Sequence, residues 1–296
     1  MSIFLTGGSG FVGRNLIDFF SKTKKINNYK RNSKITIKEN IVIHLAGKAH
    51  DLKKTSSSNV YYEVNTKLTK EIYDKFLYSK AEIFIFLSSV KAIADSVNSV
   101  LTENHPANPK THYGKSKLLA EQYILSKKIP ESKRVYILRP CMIHGPNNKG
   151  NLNLLYTLVS KRIPWVLGLY ENKRSYCSID NLSFTINELI INKKIPTGIY
   201  NVADDLPLST NQVIGLISKS VNSNPLIWNI SKIIIKVVAK IGDTIPFPLN
   251  SERLKKLTES YVVSNEKIKK AMGKPLPIKS KDGMLNTFKS FQLDKK

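Results

Sequence analysis

Residues 3–13 read IFLTGGSGFVG, and RNLIDFFSK follows at 14–22. Ile3, Phe4 and Leu5 form a short apolar run that stops at Thr6. Gly7, Gly10 and Gly13 then recur at every third position, and the residues beyond them carry apolar side chains at helical spacing. The pattern is strand, glycine turn, helix. Such a turn suits a pyrophosphate: glycine has no Cβ to hold an anion off the backbone, and the first N–H groups of a helix point outward without partners. Taken alone, the same turn is also a tight strand-to-helix connection that binds nothing.

Working outward, apolar runs recur at 40–45 (NIVIHL), 83–87 (IFIFL) and 135–138 (VYIL), with amphipathic stretches at 62–77 and 115–125 between them. Strands alternating with helices predict an α/β fold, a doubly wound parallel sheet wrapped by helices on both faces. From Pro146 onward the apolar runs are mostly helical, with short extended pieces such as GIYNVA at 198–203. The division expected is residues 1–146 as the sheet domain and 147–296 as a smaller, helix-rich part with crossovers back to it. No internal repeat or low-complexity segment is visible.

The chain has 296 residues, 47 Lys plus Arg against 22 Asp plus Glu, and a formal charge of +25. Hydrophobic residues make up 41%, which excludes a disordered or collagen-like chain. The base is 40 Lys and only 7 Arg, scattered beside many Ile and Asn. A nucleic-acid binder clusters its base with Arg and aromatics, so no nucleic-acid partner is expected. Cys141 and Cys177 cannot make a disulfide framework, and neither they nor the five histidines show metal-ligand spacing. A reducing, cytoplasmic setting is the simplest reading. The opening residues lack a signal peptide's basic start, and no apolar run is long enough to span a membrane. Between Ser231 and Ile241, Lys232, Lys236 and Lys240 recur at four-residue spacing among Ile, Val and Ala. That helix would lie on a membrane surface or pack one face on the core.

A dinucleotide site ordinarily wants an acid about twenty residues beyond the turn, to hold ribose hydroxyls. This chain offers Asn27, Asn28, Lys30 and Arg31, and 23–39 looks too contracted for a full second strand and helix. Lys30 and Arg31 either meet a 2′-phosphate, which tilts toward NADP over NAD, or are two solvated bases. Further on, Tyr113-Gly-Lys-Ser-Lys117 opens an amphipathic stretch, placing a phenol and an ammonium one helical turn apart. An ammonium nearby is expected to favour the phenolate. Ser89, at the end of IFIFLSS, would bring a hydroxyl to the same cleft above the carboxyl ends of the strands.

Together, TGGSGFVG at 6–13, HLAG at 44–47, Asn65 in YEVNT, FLSS at 86–89, YGKSK at 113–117 and LRPCMIHGP at 138–146 resemble an extended short-chain dehydrogenase/reductase of the NAD-dependent epimerase/dehydratase family. The likeness covers essentially the whole chain. It implies a Rossmann NAD(P)-binding domain, a nucleotide-sugar substrate and a catalytic set of Ser89, Tyr113 and Lys117. Tyr113 would exchange a proton with the sugar, Ser89 would hydrogen-bond the same oxygen, and Lys117 would hold the nicotinamide ribose. Gly7, Gly10, Phe11, Val12, Gly13, Arg31, Leu45, Ala46, Lys48, Asn65 and Pro140 are the further cofactor positions that the resemblance implies. Arg174 in NKRSYCSID is the strongest candidate for gripping a substrate diphosphate, because an arginine fork matches phosphate oxygens. Arg253, Asn151 and Leu152 complete the expected substrate side, with Lys149 in the loop over the nucleotide.

Dehydratases of this family carry an acidic pair after the catalytic Ser or Thr. Here Val90 and Lys91 follow Ser89, which disfavours 4,6-dehydration. The sequence contexts resemble most closely reductases of UDP-4-keto-6-deoxy-N-acetylhexosamines in surface-polysaccharide biosynthesis. The alternative is a UDP-hexose 4-epimerase of the glucose/galactose type. A non-catalytic dinucleotide sensor of the same fold is a third reading, against which stands the retention of both Tyr113 and Lys117. A homodimer is expected only from the resemblance.

Overall fold

Strand β1 (Ser2–Thr6) runs into the glycine turn and helix α1 (Phe11–Phe20), as the opening stretch requires. The computed structural model describes residues 1–49, 57–148, 150–245 and 249–293. Strand β2 (Lys25–Asn28) pairs parallel to β1, and β3 (Ile41–His44) pairs on β1's other side. The contraction at 23–39 therefore removes a helix and not the strand. Residues 29–40 return without one, tied by Tyr29 N–H to Leu5 O (2.8 Å) and Asn27 Nδ2 to Glu39 Oε1 (2.9 Å). The four-residue β2 is left at the sheet edge.

Helix α2 (Ser58–Tyr61), a π-helical stretch (Tyr62–Lys67) and α3 (Leu68–Leu77) run consecutively into β4 (Ile83–Leu87). A short 3₁₀ turn (Val90–Ala92), α4 (His112–Ser126) and β5 (Arg134–Pro140) follow. The remainder comprises β6 (Met142–His144), α5 (Asn151–Ser160), β7 (Tyr176–Ser178), α6 (Ile179–Ile191), β8 (Gly198–Val202), α7 (Thr210–Ser220), α8 (Lys232–Thr244), α9 (Ser251–Thr258), α10 (Glu266–Met272) and α11 (Ser280–Leu293). The main sheet has the order β2-β1-β3-β4-β5-β8 with every pairing parallel, and β6 and β7 form a separate parallel pair.

The period of two explains both faces. Ile3, Leu5, Ile41, Ile43, Ile83 and Ile85 pack with Leu16, Phe20 and Leu182 on one side, while Phe4, Val42, Phe84 and Phe86 pack with Ile72, Phe76 and Ile124 on the other. Each such side chain, fully buried, stabilises the fold by about 1.5–3 kcal/mol before entropy is charged against it. A separate apolar cluster, including Tyr156, Trp165, Ile217 and Phe288, joins α5, α7 and α11. The chain after residue 146 nonetheless returns to the sheet, since β8 pairs with β5 and Leu182 and Ile186 of α6 enter the sheet's own core.

Candidate active site

The glycine turn is shaped by what it cannot contain. Gly7 adopts φ +74°, and a Cβ there would lie 2.7 Å from Ala46 N. A Cβ at Gly13 would overlap the backbone of Gly7 and Gly8, so α1 can begin this close to β1 only with glycine. Gly10 N–H closes the turn on Gly7 O at 3.0 Å, and Phe11 and Val12 begin the helix half-buried. From the β2 side, Asn28 leans over the turn, where a Cβ at Gly8 would be 2.6 Å from Asn28 Cγ. Register puts Asn28 opposite Leu5, so Asn28 occupies the end of β2 where the acid was sought. Lys30 and Arg31 are exposed just beyond, beside a groove of about 470 Å³ lined by Phe4, Asn28, Tyr29, Lys30, Ser33 and Lys34. The neutral turn and the open N-terminus of α1 fit a pyrophosphate.

A hydrogen-bond chain that sequence reasoning missed carries this turn to Tyr113. Ala46 N–H donates to Thr6 Oγ1 (3.1 Å), and the Thr6 hydroxyl meets His44 Nδ1 (2.7 Å). His44 Nε2 meets Thr69 Oγ1 (2.8 Å), whose own proton goes to Asn65 O (2.7 Å). Because Thr69 spends its proton on a carbonyl, His44 donates from Nε2; the Thr6 hydroxyl, which accepts from Ala46 N–H, gives its proton to Nδ1, and the ring is a neutral imidazole. Complete burial and the nearby Lys117 charge push its pKa down to about 3. The Asn65 side chain accepts from Lys48 N (2.7 Å) and donates to Lys48 O (3.1 Å) and Ser116 Oγ (2.9 Å). Ser116 then donates to Tyr113 O (2.9 Å). Both N–H donors of the Asn65 amide are thus used inside the protein. Asn65 holds the 45–48 segment and α4 in place and has no side-chain donor left for a cofactor. The visible signal for His44 was a histidine closing an apolar run.

Tyr113 and Lys117 lie on the first turns of α4, which Thr111 caps by accepting from Gly114 N (3.2 Å). Gly114 allows α4 to press onto the 3₁₀ turn, since a Cβ there would overlap Lys91 O. Lys117 is 3% exposed, and its Nζ donates to Leu87 O (2.8 Å) over the Phe86 ring. Burial lowers its pKa to about 8, against the opposing pull of Glu121. The half-buried Tyr113 departs from expectation. Burial raises the phenol's pKa, a hydrogen bond with Ser89 draws it back only partly, and Lys117, turned toward the end of β4, is not among the causes. Tyr113 is therefore protonated at neutral pH in this structure. Ser89 caps the 3₁₀ turn, its Oγ accepting from Lys91 N (3.2 Å). Behind the set, Glu121 is bound by the Arg139 fork (2.6–3.1 Å) and by Ser88, locking α4 to β4 and β5.

The expected substrate side is less uniform. Arg174 donates from Nε to Glu259 O (3.1 Å) and from its fork to Lys256 O, with the Glu259 carboxylate 3.6 Å away. Arg174 also bridges to Tyr261, whose hydroxyl donates to Ala94 O (2.7 Å) and whose ring lies under Lys91, two residues past Ser89, so Arg174 lies on the Ser89 side of the molecule, fastened to the end of α9. Asn151 is exposed at the start of α5, and the Leu152 side chain turns into the second apolar cluster, which leaves only its backbone toward the expected substrate side. Arg253 is exposed on α9, and Lys149 lies outside the described residues. Leu45, Ala46 and Lys48 follow β3, beside the turn, half-buried, while Pro140 is buried at the end of β5. Cys141 and Cys177 are buried, and burial raises both thiols well above their ordinary range.

A parallel sheet that opens on this glycine turn, with Ser89, Tyr113 and Lys117 grouped over the ends of its central strands, is the architecture of an extended short-chain dehydrogenase/reductase. The sequence profile of the 3-beta hydroxysteroid dehydrogenase/isomerase family matches residues 25–225, more than half the chain, and the chain belongs to that family. Among curated relatives, a UDP-glucose 4-epimerase of Vibrio cholerae is 32% identical over 242 residues, covering 72% of this chain and 74% of the relative. An N-acetyl-alpha-D-glucosaminyl-diphospho-ditrans,octacis-undecaprenol 4-epimerase of Escherichia coli O157:H7 is 26% identical over 299 residues, covering 91% and 85%. Among solved structures, MoeE5 in complex with UDP-glucose and NAD superposes with a TM-score of 0.77 at 16% identity and full coverage of both chains, a likeness of fold.

Proposed function

We propose that this chain is an NAD(P)-dependent enzyme acting at C4 of a hexose carried on a diphosphate, with a UDP-sugar as the soluble substrate, and that the reaction is 4-epimerisation. The observation that carries the reading is the grouping of Ser89, Tyr113 and Lys117 beside the glycine turn, within one hydrogen-bonded frame. When bound, the dinucleotide supplies the acceptor and donor of a hydride at sugar C4. Gly7, Gly10, Phe11, Val12 and Gly13 would hold its pyrophosphate, Leu45, Ala46, Lys48 and Pro140 would border it, and Lys30 or Arg31 would face the adenosine end. An ammonium has three donors, and Leu87 O takes one of those on Lys117, leaving the rest to meet ribose hydroxyls.

Epimerisation oxidises a C4 hydroxyl first, so Tyr113 Oη, protonated in this structure, would lose its own proton to solvent, take the hydroxyl proton as a phenolate, and return it to the C4 ketone oxygen when the hydride comes back. Ser89 Oγ would hold the same oxygen. Arg174 would turn from the α9 carbonyls to a substrate diphosphate, with Asn151 and Arg253 at the margin. The two epimerase relatives support epimerisation over the reduction expected first from sequence. The reductase reading keeps one observation in its favour, the exposed Lys30 and Arg31 beyond β2, which suit NADPH.

Mass spectrometry of ligand released from the purified protein, with NMR of the product at C4, separates the two readings. An epimerase retains NAD and interconverts UDP-glucose with UDP-galactose, or the N-acetyl pair, without added cofactor. A reductase releases no cofactor and consumes NADPH against a 4-keto sugar. Turnover of neither kind would reject the proposal.

A further inference from the structure

Helix α8 presents more apolar surface than it buries. Ile235, Ala239 and Gly242 are its buried residues; Ile235 and Ala239 join the second apolar cluster, and Gly242 fits so closely under Leu249 that a Cβ would overlap Leu249 O. On another face, Ile233, Val237 and Ile241 stand four apart with Ile234 and Ile245 beside them. Ile233 is 75% exposed and the other four are 52–55% exposed, while Trp228, just ahead of the helix, is 53% exposed. A surface helix with one packed seam should turn polar side chains to water. Here the polar arc is basic and narrow: Lys232, Lys236 and Lys240, again four apart. The helix's only acid, Asp243, is bound to Ser251 of α9 through its N–H (2.9 Å) and hydroxyl (2.6 Å).

We propose that the outer face of α8 docks on an anionic phospholipid bilayer, seating Ile233, Ile234, Val237, Ile241 and Trp228 at the acyl boundary with the three lysines among the headgroups. A flat interfacial helix has this composition: an apolar face beside a lysine edge whose stems snorkel to the phosphates. Charge decides between a bilayer and a second copy of this chain. Two copies meeting antiparallel through this face would bring the same three lysines together, with the helix's one acid, Asp243, already bound to Ser251, in a chain of formal charge +25. Anionic lipid answers both the apolar and the basic part of the face. The face is also joined to the substrate side, because α8 is fixed to α9 through Asp243 and Gly242, and the Lys256 and Glu259 carbonyls at α9's end hold Arg174. Resting on the function proposed above, this docking would present the site to a hexose diphosphate carried on a membrane lipid.

Co-sedimentation of the full chain with vesicles tests the docking independently of any turnover. Vesicles of phosphatidylglycerol and phosphatidylcholine in equal parts should pull the protein down at low salt, and pure phosphatidylcholine should not. Replacing the three lysines with Gln should weaken binding on the order of a hundredfold, at about fivefold per lysine. The triple variant Ile233→Ser, Val237→Ser, Ile241→Ser should lose binding while keeping its turnover of a soluble UDP-sugar, which shows that it is folded. Wild-type protein left in the supernatant with anionic vesicles overturns the proposal. So does a triple variant that sediments like wild type, or a wild-type dimer that the triple variant disperses while neither binds vesicles. Absence of sugar turnover together with vesicle binding would reject the proposed function and leave the docking standing.

Discussion

Lys117 shows most plainly how a residue can serve the site at the expense of the fold. Its ammonium is buried against Leu87 O and Phe86, and the fold lowers its pKa from 10.5 to about 8. The unfolded chain therefore holds more protons between pH 8 and 10.5, so stability from this group is present above 10.5 and is lost as pH falls to 8. At neutral pH the penalty is on the order of 3 kcal/mol. Lys117→Met is expected to raise stability at pH 7 by about 1–2 kcal/mol, because the lost bond to Leu87 O offsets part of the relief. The gain should shrink toward pH 10.5 while turnover is abolished, as urea unfolding across pH and a sugar assay would show. The motif YGKSK made Tyr113 and Lys117 legible in the sequence, since helical spacing alone puts them on one face. The direction of the Tyr113 shift was not legible. It depends on burial and on where the Lys117 ammonium turns, and both are tertiary facts.

At the scale of elements, the chain of bonds through Thr6, His44, Thr69, Asn65 and Ser116 joins β1, β3, the π-helical stretch, α3 and α4 into one frame. Its pH behaviour follows from His44, whose folded pKa of about 3 lies below the ordinary 6.5. Stability from this group is complete above 6.5 and falls as pH drops toward 3, by on the order of 4 kcal/mol. His44→Leu should cost about 1–3 kcal/mol at pH 7, since Thr6 and Thr69 each lose a buried partner. It should also flatten the acid limb of the stability curve between pH 6.5 and 3, which denaturant midpoints at several pH values would record. Sequence periodicity located β1, β3, β4 and β5 to within a residue or two, because strands buried on both faces read as uninterrupted apolar runs. It missed β2, whose KINN is mostly exposed at the sheet edge and carries no such signal. The inward turn of Leu152 was equally hidden, because a residue beside a loop shows its direction only once the second cluster is assembled.

Over the whole molecule, the parallel sheet brings the glycine turn, the end of β4 and the start of α4 to one edge. The later half of the chain returns β8 and α6 to that sheet before building its own apolar cluster. The net charge of +25 meets exposed apolar surface along α8, where Lys232, Lys236 and Lys240 flank Ile233, Val237 and Ile241. The central claim is that Tyr113 moves the proton at sugar C4. Its most direct test is Tyr113→Phe, with C4 interconversion of a UDP-hexose followed by NMR in protein whose cofactor content and melting temperature match wild type. The account predicts a fall of about 10²–10⁴ in turnover, the usual worth of a positioned acid-base group. Interconversion at the wild-type rate in that variant would contradict it.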